Sequence, residues 1–165
     1  MKRVFLATLA TFGLVGCGGG VLIVPLVGAW EFTEGTIVTD TCKITPVPSE
    51  GNGTFQLATK VGGFTIDPQD GSPLFDCAQV GNTYTCPSRL SATVDLGAQS
   101  GGLLSGTLKV NVKLGGSLTT DSATTGVETA DVSCEGSGCS AAASYFSTAF
   151  PCMVSRNYAA NHLTR

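Results

Sequence analysis

Residues 75–96, FDCAQVGNTYTCPSRLSATVDL, hold two extended segments joined by Gly81-Asn82. A two-residue loop of this composition, set between runs rich in β-branched and aromatic residues, is the signature of a tight antiparallel hairpin. Counting outward from the turn sets Val80 against Thr83, Gln79 against Tyr84, Ala78 against Thr85 and Cys77 against Cys86. Pairs alternate between hydrogen-bonded and non-hydrogen-bonded, starting with a hydrogen-bonded one beside the turn. The two cysteines therefore fall on a close, non-hydrogen-bonded pair that suits a disulfide. Beyond the turn, Tyr84, Cys86, Leu90, Ala92, Val94 and Leu96 share one face, and Thr83, Thr85, Arg89, Ser91, Thr93 and Asp95 the other. This period of two is that of a half-buried strand. Pro87 has no N–H to give the ladder, which predicts a bulge or a partial edge at that point.

The same alternation recurs on either side. Leu108, Val110, Val112 and Leu114 alternate with Thr107, Lys109, Asn111 and Lys113, and pair back through the loop Gly97 to Gly102. Ala29 to Thr41 reads as the first strand, with Trp30 and Phe32 on one face; Thr54 to Lys60 and Phe64 to Ile66 are short strands hinged at Gly62-Gly63. Thr45 to Asn52 and Asp67 to Pro73 are loops. Ser117 to Gly126, rich in Ser and Thr and poor in apolar residues, reads as an edge strand or exposed loop, and Val127 to Cys134 resumes an extended pattern. Val21 to Val27 is a continuous apolar run, either an extra buried strand or a segment near a membrane. Ser140 to Ala149 is the only helical stretch, ended by Pro151. The expected fold is mainly β: an antiparallel β-sandwich or β-barrel of about 7–9 short strands with one short C-terminal helix.

Besides Cys17 there are Cys42, Cys77, Cys86, Cys134, Cys139 and Cys152, an even set that reads as three disulfides in an exported chain. Cys134 and Cys139 enclose Glu-Gly-Ser-Gly, a flexible loop able to close, which leaves Cys42 with Cys152 by elimination. Metal ligation competes poorly. There is no Cys-x-x-Cys, and the single histidine is His162 near the C-terminus. No metal or cofactor is expected.

Lys2 and Arg3, the uncharged run Val4 to Val15, and Gly16 compose an export signal. The tetrad Leu14-Val15-Gly16-Cys17 resembles the lipobox of bacterial lipoproteins. The resemblance implies removal of residues 1–16, acylation of Cys17 and membrane attachment through it. Gly18, where that family carries Asp for inner-membrane retention, implies the outer membrane, on its periplasmic face or at the cell surface. The competing reading is a spanning helix over the uncharged run from Val4 to Trp30, but Gly16, Gly18, Gly19, Gly20 and Pro25 would sit within it as poor helix formers. Residues 17–27 then read as a tether and 28–165 as one β domain.

With nine basic and twelve acidic residues, two of the basic ones in the leader, the mature chain carries about five net negative charges. It has no basic stripe to displace counterions, so nucleic acid is excluded as a partner. Catalytic motifs are lacking: there is no His-Glu-x-x-His, no Gly-x-Ser-x-Gly elbow and no phosphate loop. Gly138-Cys139-Ser140 comes nearest to an elbow, but Cys139 is assigned to a bridge. His162, near a chain end, reads as solvated. Asp67, Asp70 and Asp76 around Gly71 read as a turn rather than a Ca²⁺ loop, and nothing singles out two of Glu31, Glu34, Glu128 and Glu135 as a catalytic pair. No catalytic residues are assigned, and the chain is read as a non-enzyme.

Gly28-Ala29-Trp30 on a first strand, with a late helix and a bridge to the C-terminal segment, is similar to lipocalins and lipocalin-like bacterial lipoproteins. The resemblance implies a closed barrel with Trp30 plugging one end, a cup for an apolar ligand, and Arg156 as a candidate for the arginine that packs on the tryptophan. Two functions follow. One is a lipid-anchored structural or interaction module meeting an envelope or surface protein. The alternative is a lipocalin-like carrier of a small hydrophobic ligand. An enclosed cavity of a few hundred Å³ would favour the carrier.

Overall fold

The computed structural model describes residues 21–45, 47, 48 and 50–164. The expected leader 1–16 and the expected acylation site at Cys17 lie outside the described residues. The alternating segments form strands β1 (Gly28–Asp40), β2 (Gly53–Lys60), β3 (Gly63–Asp67), β4 (Phe75–Val80), β5 (Thr83–Asp95), β6 (Thr107–Thr120), β7 (Ala123–Glu135) and β8 (Cys152–His162). Each pairs antiparallel with its neighbour in sequence, and β8 returns to pair with β1, closing an eight-stranded barrel. Closure gives every strand a neighbour on both sides, although β1 beyond Phe32 and β5 beyond Thr85 have no ladder partner on the side of the short strands.

The apolar set of each strand points inward. Trp30 and Phe32, Phe55 and Leu57, Phe64 and Ile66, and Phe75 and Cys77 are all buried in one core with Tyr84, Val112, Leu114, Leu118 and Tyr158. Lysines and acids of the outer face pair across strands, Lys60 with Asp76, Lys109 with Glu135 at 2.7 Å and Lys113 with Asp131 at 3.4 Å. An apolar inside and a charged outside is the reverse of a barrel whose outer face meets lipid.

The hairpin of β4 and β5 has the expected register, Val80 with Thr83, Gln79 with Tyr84 and Ala78 with Thr85. Cys77 and Cys86 are bridged inside the barrel, and the other two bridges join Cys42 to Cys152 and Cys134 to Cys139. Pro87 does bulge its strand, and the bulge has a consequence for the faces. Register shifts lie between Cys86 and Arg89 and again between Leu90 and Ala92. One extra residue exchanges inside for outside, so Arg89 turns inward at 8% exposure and Leu90 outward at 42%, the opposite of the simple alternation.

Three segments depart from expectation. Ser117 to Gly126 is neither an edge nor a loop: it contains the ends of two central strands and the turn between them. Val21 to Val27 forms no strand. It straps one end of the barrel, with Pro25 buried, Ile23 packed on the core, and Leu26 N–H bonded to Asp121 O at 2.8 Å. Besides the late helix α2 (Cys139–Tyr145), a single-turn helix α1 (Leu96–Gln99) follows β5, its first amides capped by the Asp95 carboxylate.

β2, β3 and β4 are 8, 5 and 6 residues long, whereas β1, β5, β6 and β7 run to 13 or 14. The wall is therefore low on one side. At the end away from the strap, the tall strands carry a second plug, Val132 and Val154 with the Cys42–Cys152 bridge, Ile44 and Val47. The helices cover a third cluster there, Leu96, Leu108 and Ala142.

Candidate binding site

Four residues at one level of the barrel make the floor of its chamber. Tyr84 on β5 is opposite Gly116 on β6, Gly116 is opposite Gly126 on β7, and Gly126 is opposite Tyr158 on β8. The two tyrosines lean toward each other over the glycine pair until their hydroxyls meet. The glycines are required here. A Cβ on Gly116 would stand 2.7 Å from the Tyr84 hydroxyl, and one on Gly126 the same distance from that of Tyr158. Tyr84 also bonds Thr124 Oγ1 at 2.9 Å, and Thr124 donates to Ser117 O at 2.8 Å. Phe32 stacks on Tyr158 with ring centres 4.9 Å apart, and Phe64 meets Tyr84 edge-on at 5.0 Å. Burial raises the pKa of both phenols, so both hydroxyls keep their protons.

Around this bridge lies a cavity of about 250 Å³, walled by Trp30, Phe55, Leu57, Ile66, Phe75 and Leu118, among others. Its rim carries Glu50 to Asn52 from the β1–β2 loop, Gly53 and Thr54 at the start of β2, and Pro68 and Asp70. That is the side where the short strands stop. Trp30 is wholly buried beneath the chamber, its indole N–H bonded to Leu26 O of the strap at 2.9 Å. Its aromatic neighbours are Phe55 and, edge-on at 5.7 Å, His162. His162 is thus half-buried on the last strand and not solvated, and the tryptophan's partner is this histidine. Arg156 lies elsewhere.

Arg156 belongs to a charged layer between the chamber and the far plug. It pairs with Glu34, and opposite it on β7 is Glu128. Glu50 from the loop pairs with Arg89 at 2.8 Å, and the Arg89 guanidinium lies over the Phe75 ring at 3.9 Å. The carboxylates also hold the loop: Glu50 N–H donates to Glu128 and Gly51 N–H to Glu34, both at 3.1 Å. Burial, opposed by the Glu50 amide and helped by the nearby Glu34 and Glu50 charges, pushes the Glu128 carboxyl up to about 7. Its Oε2 is buried with no hydrogen-bond partner among the described residues.

Of the carboxylates read in the sequence, Glu34 and Glu128 meet inside the barrel, whereas Glu31 is exposed and Glu135 pairs with Lys109 on the outer face. Glu50 and Arg89, which were not read as a site, complete the layer with Arg156, which was read instead as the tryptophan's partner. Glu34 continues the inward parity of Trp30 and Phe32, which was the available signal. Asp67 and Asp70 accept from Gln69 N–H and Ser72 within their own turns, and those Ser72 bonds hold the Asp70 carboxyl below its usual range. Asp76 pairs with Lys60. Among the described residues no three His, Cys, Asp or Glu side chains converge as a metal site. No protein-family model matches the chain, and neither a curated protein nor a solved structure matches it.

Proposed function

We propose that this chain is a carrier or binder of a small apolar molecule, exported and held at a membrane through an acylated Cys17. The observation that carries the reading is the chamber of about 250 Å³, walled by aromatic and aliphatic side chains and reached over a low wall. An apolar cavity of about 150 Å³ is enough to hold benzene, so one of this size suits a molecule of one or two rings. The membrane part rests on residues 1–17. Two or more acyl chains anchor firmly, each contributing about 0.8 kcal/mol per buried CH₂.

Native mass spectrometry of the full exported chain carrying Cys17→Ser, purified without detergent from its own envelope extract, tests the binding. A stoichiometric adduct of a few hundred daltons or less that leaves on denaturation is expected. Bare protein that also fails to take up added aromatic compounds would turn the reading to a structural or interaction module. The observation favouring that second reading is the aliphatic surface at the strap end, where Val21, Leu22, Val24 and Val27 are exposed alongside Val61 and Val80 of the neighbouring hairpin turns. Membrane fractionation tests the anchor: Cys17→Ser releases the protein to the soluble fraction.

A further inference from the structure

The hydrogen bonds within the chamber can be assigned a direction. A carbonyl only accepts, so Thr124 spends its one hydroxyl proton on Ser117 O at 2.8 Å. At 2.9 Å from Tyr84 it can then only accept, and the Tyr84 proton goes to Thr124. Tyr84 has nothing left to give Tyr158, so the contact between the two phenols is a donation from Tyr158. The protons run Tyr158 to Tyr84 to Thr124 to Ser117. The chain begins at an oxygen whose proton is spent and which receives no other donor among the described residues. The buried Trp30 N–H is spent on Leu26 O, and the further side-chain donors of the lining, Asn52 and Thr54, are exposed at the rim.

We infer that the chamber selects an uncharged apolar molecule bearing one O–H or N–H donor, which it receives at the Tyr158 hydroxyl oxygen. This rests on the carrier reading and narrows it to a ligand class. A carboxylate finds an acceptor where it needs a donor, and it passes the Glu50 and Asp70 carboxylates at the rim. An ammonium finds the acceptor, but it loses its hydration among phenyl and aliphatic walls, at a cost far above the return from one neutral hydrogen bond. An apolar molecule without a donor fills the space and leaves the Tyr158 lone pair unused.

Trp30 is the only tryptophan and lines the chamber, so its emission reports occupancy. The full Cys17→Ser chain is titrated with 4-ethylphenol, 4-ethylanisole, 4-ethylbenzoate and 4-ethylbenzylammonium, with and without Tyr158→Phe. The expected result is that 4-ethylbenzoate and the ammonium bind weakest. Tyr158→Phe weakens 4-ethylphenol about tenfold and leaves 4-ethylanisole within about twofold, the size of one neutral hydrogen bond. Phenol binding indifferent to Tyr158→Phe, or preference for the carboxylate or the ammonium, overturns the inference while leaving a carrier. Quenching by none of the four removes the carrier reading and this one with it.

Stability checks the direction independently. Tyr158→Phe leaves every other hydroxyl of the chain with its acceptor, whereas Tyr84→Phe strands the buried Tyr158 proton. Tyr84→Phe is therefore expected to lower the melting temperature more. The reverse order overturns the assigned direction.

Discussion

The two ends of the barrel are closed by different physics. At the strap end closure is apolar and uncharged: Ile23 packs on the core, Trp30 lies beneath the chamber, and the strap is tied by neutral hydrogen bonds, Ile23 N–H to Asn82 Oδ1, Gln79 to Ile23 O and Leu26 N–H to Asp121 O. No charged side chain enters the chamber there. At the other end Glu128, Arg89 and Arg156 are buried together with the half-buried Glu34 and Glu50, tied to a loop that a disulfide fixes to the last strand. The second end holds a buried carboxyl whose charge changes with pH near neutrality. Buried charges are also weak stabilisers, because their attraction is set against the loss of hydration. The covalent bond therefore stands where the noncovalent closure is least secure.

The comparison is broken hardest by removing that bond. Cys42→Ala with Cys152→Ala opens a loop of sequence separation 110. Chain entropy sets the expected loss at about 4–5 kcal/mol, read by denaturant unfolding without reductant. A loss below about 1 kcal/mol would mean that the charged layer holds its end unaided.

Glu128→Gln comes next, and its sign follows from linkage. The Glu128 carboxyl rises from 4.5 to about 7 on folding, so between those values the folded chain binds more protons than the unfolded one. The stability this contributes is fully present below about pH 4.5 and is lost as pH rises through about 7, in total about 3 kcal/mol. Glu34, Glu50 and Arg156 face the group, and Glu34 and Glu50 add to the rise while Arg156 opposes it. Glu128→Gln should be more stable than the parent at pH 8, with the difference shrinking toward pH 4. Parallel stability curves for the two proteins would show that Glu128 does not titrate in this range.

Between the ends, the glycine floor is tested by a pair of variants. A Cβ on Gly126 meets Gly115 O at 2.2 Å, while one on Gly115 meets nothing closer than Tyr84 O at 3.8 Å. Gly126→Ala should cost about 1–3 kcal/mol as an overpacked site and weaken probe quenching of Trp30. Gly115→Ala should do neither. The smallest effect belongs to the strap's outer face: Val24→Ser should move stability by no more than about 0.5 kcal/mol in a denaturant titration.

Much of this was legible because a hairpin register is local. Gly81-Asn82 fixed the pairing of its flanks, and with it one disulfide. The faces beyond Pro87 were misread, since the sequence signals a bulge without saying that one slipped residue sends Arg89 inside. Ser117 to Gly126 was misread for a related reason. Apolar residues mark a strand only where they fill the core, and at Gly116 and Gly126 the core is filled by tyrosines reaching from other strands. The chamber itself was not legible. It arises from unequal strand lengths and from which inward positions face one another, neither of which is a local property.

The meander order of the strands has a consequence for when the chamber comes into being. Seven of the eight seams join consecutive strands, but the eighth joins β8 to β1 across nearly the whole chain. Contacts of such long separation are slow to form, because the chain entropy of closing the ring is lost before any contact rewards it. Tyr158 and Cys152 both lie on β8, so the polar anchor of the chamber and the second half of the longest bridge arrive together, with the final strand. A partly emerged chain offers an open sheet with its aromatic face bare. The chamber is complete only in the finished molecule.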